Sequence, residues 1–194
     1  MQDPRTSHAL LAHLAARRNT LPRRLAAPGP DQDDLHRILE AAACAPDHGR
    51  LLPWRFILIP DHKRAELGAV FAAALAERDP DCGDEALAAA RQRAFHAPCL
   101  IAAVLVDDPA AGAPPRAEKL VSLGCAIQNM LLAAQCLDFA SGLASGGAMH
   151  HAAMRALLGL ACHEEAVCFI AFGTPATAKA APARAQPGQF YSVL

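Results

Sequence analysis

Residues 45–54 read APDHGRLLPW, and this stretch punctuates the chain. Pro46 disfavours helical backbone in the residue before it, and Gly49 loosens the turn, so a helix arriving from upstream stops near Cys44. Pro53 then leads into WRFILIP, residues 54–60, a short β-branched and aromatic run that reads as a buried strand ended by Pro60.

Upstream, Asp31 is placed to cap a helix whose Leu35, Ile38, Leu39 and Ala42 share one face, with Asp33 and Asp34 at the positive end of its dipole. Before Pro28, Gly29 and Pro30, the stripe of Leu10, Leu11 and Leu14 predicts a first helix over residues 7–18 with Ser7 as cap. Downstream, Asp61 is placed to cap a helix to about Glu77, another helix runs over 84–95, and CLIAAVLV, 99–106, is a second strand. A small-residue linker over 110–115 puts Pro115 in the first turn of a long, largely apolar helix ending near Leu137. SGLASGG, 141–147, predicts a short strand and a turn. A short helix over 151–158 then precedes a third strong strand, AVCFIAFG, and an irregular tail over 174–194. Helices alternating with a few short strands indicate a layered α+β or α/β domain. Neither GxGxxG after a strand nor GxxxxGK[ST] occurs, so a Rossmann crevice and a P-loop are both unsupported.

A chain of 194 residues with 53% hydrophobic content can bury roughly 70% of its unfolded surface, so one domain over 1–194 is expected. The net charge of -1 and charged fraction of 19% argue against a nucleic-acid partner held by a general field. Phosphate binding would have to be local. Arg5, Arg17, Arg18, Arg23 and Arg24 face only Asp3 within the first 24 residues, which suits either a solvated basic face or a phosphate clamp.

Seven cysteines without a CxxC pair fit reduced thiols in a cytoplasm, most of them packed in apolar runs. HALLAHLAARR is broken by histidines, so it is no secretory h-region, and residues 120–137 carry too many polar groups for a membrane span. His150 and His151 are adjacent and cannot share a helix face, and Asp107 and Asp108 read as a solvated strand end, so no metal is expected.

The order RRN (17–19), a second helix, APDHGRLLPW, a strand, a long apolar helix, SGLASGG and FGTP (172–175) resembles the nitroreductase family of FMN enzymes. The resemblance is to its short bacterial members with APDH before the PW pair, and it covers roughly residues 8–175. It implies an α+β, three-layer fold with a central, mostly antiparallel sheet flanked by helices. It implies an intertwined homodimer with FMN in each of two clefts between the subunits. Hydride would pass from NAD(P)H through the flavin to a nitroaromatic, quinone or related small acceptor.

Carried over residue by residue, the resemblance implies that Arg17, Arg18 and Asn19 hold the FMN phosphate and ribityl chain, Asn19 standing in for the family's serine. Arginine suits that task because its planar donors engage two oxygens together. Cys44 and His48 fall on flavin-contact positions, and His48 can serve either the ring's carbonyl edge or the phosphate. Leu143, Ala144, Ser145 and Gly146 match the segment that passes beside the flavin, where a Gly-rich turn permits close backbone approach. No side chain is assigned as a catalytic acid or base.

Two departures stand out. Leu52 replaces a glutamine before PW, and Ala144 stands where the short members carry arginine. Arg50 is therefore expected as a charge stabiliser at the flavin N1–C2=O edge, and Arg184 or Lys179 as a substitute charge for the phosphate. Trp54 reads as structural. The departures also keep two other functions in view: a protein that binds flavin without turnover, and a different flavin reaction on the same fold.

Overall fold

The structure is a computed structural model that describes residues 4–109, 113–177 and 183–194. Among these residues five strands form one sheet in the order β1-β5-β3-β2, with β4 also paired to β5. They are β1 (Leu25–Ala26), β2 (Trp54–Leu58), β3 (Cys99–Val106), β4 (Ala140–Ala144) and β5 (Glu164–Pro175). Each strand pair is antiparallel, and a single parallel bridge joins Asn19 to Ser141.

Among the described residues six α-helices accompany them: α1 (Pro4–Ala16), α2 (Gln32–Ala42), α3 (Arg64–Arg78), α4 (Asp84–Gln92), α5 (Arg116–Cys136) and α6 (Ala152–Leu158). Alternation along β3 explains the layering, because successive side chains point to opposite faces of a strand. Cys99, Ile101, Ala103 and Leu105 pack with Ile38 of α2 and Leu123, Ala126, Ile127 and Met130 of α5. Leu100 and Ala102 face the other way, onto Leu67 and Val70 of α3 and Met154 of α6. The sheet is thus the middle of three layers.

The proline and capping signals hold with local corrections. Asp31 Oδ1 accepts from the Asp34 N–H at 2.9 Å, and α2 ends at Ala42, as Pro46 requires. Asp61 does not cap α3. It lies inside a 3₁₀ turn, Asp61–Lys63, that makes no side-chain cap. Pro115 is the N-cap of α5 rather than part of its first turn. Ser7 is also no cap, since α1 begins at Pro4. Strand β2 is half-buried instead of buried, because it is the sheet's edge. Of the cysteines, Cys99 and Cys168 are buried and the half-buried Cys125 packs against the core, while Cys44, Cys136 and Cys162 are exposed, so core packing explains three of the seven. Part of the 110–115 linker, and Lys179, lie outside the described residues.

The stripe on α1 faces outward: Leu11 is 63% exposed, and Leu10 and Leu14 are exposed as well. What ties α1 to the body is polar. His13 Nε2 lies 3.1 Å from Leu132 O, and Gln135 Nε2 donates to His13 O at 2.9 Å. Asp107 is not merely solvated at a strand end. It accepts from Lys119 Nζ at 2.7 Å, and Lys119, although only 5% exposed, is satisfied there and at Asp108 O.

Candidate active site

Residues 17–20 leave α1 and run alongside β4. The Thr20 N–H donates to Ser141 O at 2.8 Å, and Asn19 Oδ1 accepts from the Leu143 N–H at 3.0 Å. Gly142 permits this contact, because a Cβ there would stand 2.0 Å from Thr20 O. Two segments more than 120 positions apart in sequence are thereby fused: residues 17–19 and residues 143–146. Asn19 uses its oxygen in the join, which leaves its amide nitrogen as a donor to an outside group.

Arg184 folds back onto the same place. Its Nη2 donates to Ala15 O at 3.2 Å and to Arg17 O. Arg17, Arg18 and Arg184 make no ion pair among the described residues. The Arg184 guanidinium therefore lies against the backbone that carries Arg17, and no carboxylate among the described residues pairs with any of the three. Of the two charges expected from the tail, Arg184 is found here.

Past Ala144 the chain turns through Gly146, whose φ of 154° lies in the region that favours glycine, and forms one edge of a cavity of about 540 Å3. Ser145, Gly146 and Gly147 line this edge. The opposite wall comes from α3 and from the 3₁₀ turn Arg93–Phe95 that follows α4. Phe71 and Phe169, both in its lining, meet edge to face with ring centroids 5.8 Å apart. A volume of this size, walled largely by apolar side chains with a few polar groups, is what a flat organic ligand needs.

Its titratable groups are Arg23, Arg64, Arg78, Arg93 and His96, and no carboxylate lines it among the described residues. Burial, then the charges of Arg93 and Arg23, hold the His96 pKa below the usual histidine range. Burial likewise lowers that of Arg64. Apart from Arg23, these groups escaped sequence reasoning, because α3, α4 and the turn after it carry them at unrelated spacings.

Cys44 and His48 do not join this constellation within one chain. His48 Nδ1 lies 2.8 Å from Glu118 Oε2 at the start of α5, and both side chains are exposed. The Cys44 thiol points back at Glu40 O, 3.8 Å away. Between Asp47 and Pro53 the backbone is left-handed at Gly49, Arg50 and Leu52, and Asp47 holds it by accepting from the N–H groups of Leu51 and Leu52 at 3.1 and 2.8 Å. Arg50 sits exposed on this loop and lines no part of the cavity. Trp54 packs against the α2/α5 core, as a structural residue would. Among the described residues no three of His, Cys, Asp or Glu converge as metal ligands would.

Comparison with known proteins agrees with this architecture. The family described as the nitroreductase family matches residues 14–174. The protein named "Putative NAD(P)H nitroreductase" of Haemophilus influenzae is 35% identical over 152 residues, which are 78% of this chain and 82% of that one. A nitroreductase-like family protein of Bacillus cereus superposes with a TM-score of 0.79 at 20% identity, covering 95% of each chain. A nitroreductase with bound FMN from Bacteroides fragilis superposes with a TM-score of 0.69 at 24% identity, covering 95% of this chain and 98% of that one.

Proposed function

The chain belongs to the nitroreductase family, and on that premise we propose that it is an FMN-dependent oxidoreductase. It takes hydride from NAD(P)H and delivers it to a nitroaromatic, quinone or related small acceptor. The observation that carries this reading is the join between residues 17–19 and 143–146, sealed at Gly142 and closed over by Arg184.

The residues present fit FMN. Arg17, Arg18, the free amide nitrogen of Asn19 and Arg184 would hold its phosphate, because together they offer donors and positive charge without an internal carboxylate. Leu143, Ala144, Ser145 and Gly146 would lie along its ring, where the turn at Gly146 lets backbone approach a flat surface. When bound, the flavin supplies hydride transfer, chemistry that no protein side chain performs. The chain's own part is position, charge and exclusion of water by the apolar wall of Phe71 and Phe169.

Cys44 and His48, on the far loop, act across a subunit boundary in this proposal, with the protein a homodimer that holds FMN in the two clefts between its copies. The uncovered stripe of Leu10, Leu11 and Leu14 supports a covering partner. Among the described residues no helix is long and apolar enough to cross a membrane. Seven unpaired cysteines suit a cytoplasmic location, and residues 1–194 are taken as one FMN-binding domain.

The test is the visible spectrum of the purified protein. Flavin absorption that bleaches on anaerobic addition of NADH or NADPH, and returns when a nitroaromatic or quinone is added, is the expected result. A colourless protein that gains no thermal stability from FMN would refute the assignment, because a ligand specific to the folded state must stabilise it. Stable colour that neither nucleotide bleaches would leave a flavin binder without turnover.

A further inference from the structure

The cavity beyond Ser145 holds an arginine that the flavin clamp does not use. Arg64 is 3% exposed. Its Nη1 donates to Ala94 O at 3.0 Å, yet its Nε has no hydrogen-bond partner among the described residues. Asp61 contributes an attractive charge from the side of a second, smaller cavity, but Arg64 forms no ion pair among the described residues. A buried guanidinium with an unsatisfied N–H and no paired carboxylate is costly unless an outside acceptor completes it.

The surroundings specify that acceptor. Arg23 comes from the turn Pro22–Arg24, and Arg93 and His96 from the turn after α4. They converge on the same space as Arg64, and none of the three has an ion pair among the described residues. Apart from Arg78 and Ser145 the remaining wall is apolar, with Leu21, Phe71, Leu75, Leu100, Met149 and Phe169. A bare inorganic anion would leave that wall against water, and a neutral ring would leave the cations unused. A flat ring bearing one anionic group satisfies both.

We propose that this cavity binds a small aromatic carboxylate, and that the acceptors of the enzyme are of this anionic class. The acceptor role rests on the flavin reading above, whereas the binding site does not. Arg64 anchors the carboxylate from below, Arg23 and Arg93 flank it, and the phenylalanine and leucine side chains cover the ring.

The experiment is a calorimetric titration of the protein as purified with 4-nitrobenzoate and, in parallel, with its neutral methyl ester. The acid should bind about tenfold or more tightly than the ester, the size expected when charge-assisted hydrogen bonds are added to the same apolar burial. Added salt should weaken the acid alone. Arg93→Gln and Arg23→Gln, both at exposed positions and therefore compatible with folding, should each cost the acid about tenfold and leave the ester unchanged. Equal affinity for acid and ester overturns the proposal. So does a loss of FMN affinity in Arg93→Gln with riboflavin affinity unchanged, since the cluster would then serve the cofactor's phosphate. If the protein proves unable to bind FMN, the acid and ester titrations still decide the site, and only the flavin reading falls.

Discussion

Replacing Gly142 by alanine tests the join on which the proposed site depends. The added Cβ would stand 2.0 Å from Thr20 O, 2.9 Å from Thr20 C and 3.1 Å from Asn19 Oδ1. The nearest atoms are backbone, so no rotamer change relieves the clash, and residues 19–20 must move away from β4. That movement breaks the bond from the Thr20 N–H to Ser141 O and the one from the Leu143 N–H to Asn19 Oδ1. Each is worth about 1 kcal/mol net, and overpacking adds roughly 1–3 kcal/mol. Alanine's lower unfolded-state entropy offsets about 0.5–1 kcal/mol. The net loss is about 2–4 kcal/mol, or roughly 4–16 °C in Tm for a domain of this size. Urea unfolding of the FMN-free protein measures the stability change. Fluorescence titration with FMN should show an affinity weakened about tenfold or more, because Arg17 and Arg18 move with the displaced segment. Gly142→Ala with stability within about 0.5 kcal/mol of the parent and unaltered FMN affinity would refute the reasoning.

Leu52 is 59% exposed with φ 48°, so Leu52→Asn should raise stability by about 0.5–1 kcal/mol in thermal unfolding; a loss would show that the leucine is held by contacts outweighing its strain. Arg55 donates to both oxygens of Glu164, at 2.8 and 2.7 Å, and this hydrogen bonding is the largest cause holding the Glu164 carboxyl below the ordinary carboxylate range. A carboxyl depressed in the folded state contributes stability that is present above its unfolded pKa and lost as pH falls through the folded one. Glu164→Gln should therefore cost about 1–2 kcal/mol at pH 7 and flatten the loss of stability below the ordinary glutamate pKa; parallel pH curves for parent and variant would contradict this. Burial pushes the Cys99 and Cys168 thiols up to about 11, while Cys44, Cys136 and Cys162 are exposed. Alkylation followed by peptide mapping should label the exposed three in the native protein and the buried two only after unfolding.

Elements whose signals are local were legible in the chain. Pro46 and Gly49 end α2, Asp31 caps its start, and Pro60 closes the run of β2. These signals act through the φ and ψ of one or two residues, so no tertiary information is needed. The same holds for the alternation of CLIAAVLV, whose two apolar faces already require layers on both sides of the sheet. Where the expectation failed, a tertiary partner intervened. Strand β2 reads as buried but is the edge of the sheet, and the leucine stripe of α1 finds no partner within one chain.

The candidate site divides along the same line. Residues 17–19 and 143–146 were recognisable because a family pattern runs through them, and their contact through Asn19 and Gly142 required folding to appear. Arg50 lies exposed on the same loop as His48, away from the cavity of its own chain. The charge that reaches the cavity comes from Arg23, Arg64, Arg78 and Arg93, on segments with no shared motif. By itself, then, the amino-acid sequence determined the family, the succession of helices and strands and the two segments proposed to hold the flavin, since family motifs, capping, proline geometry and apolar periodicity are written in short stretches of chain. Only the tertiary structure decided which cations converge, that Arg184 returns to the backbone of residues 15–17, and that Cys44 and His48 stand apart from that place within one chain. Convergence of distant side chains is set by how the layers pack, and sequence spacing carries no record of that.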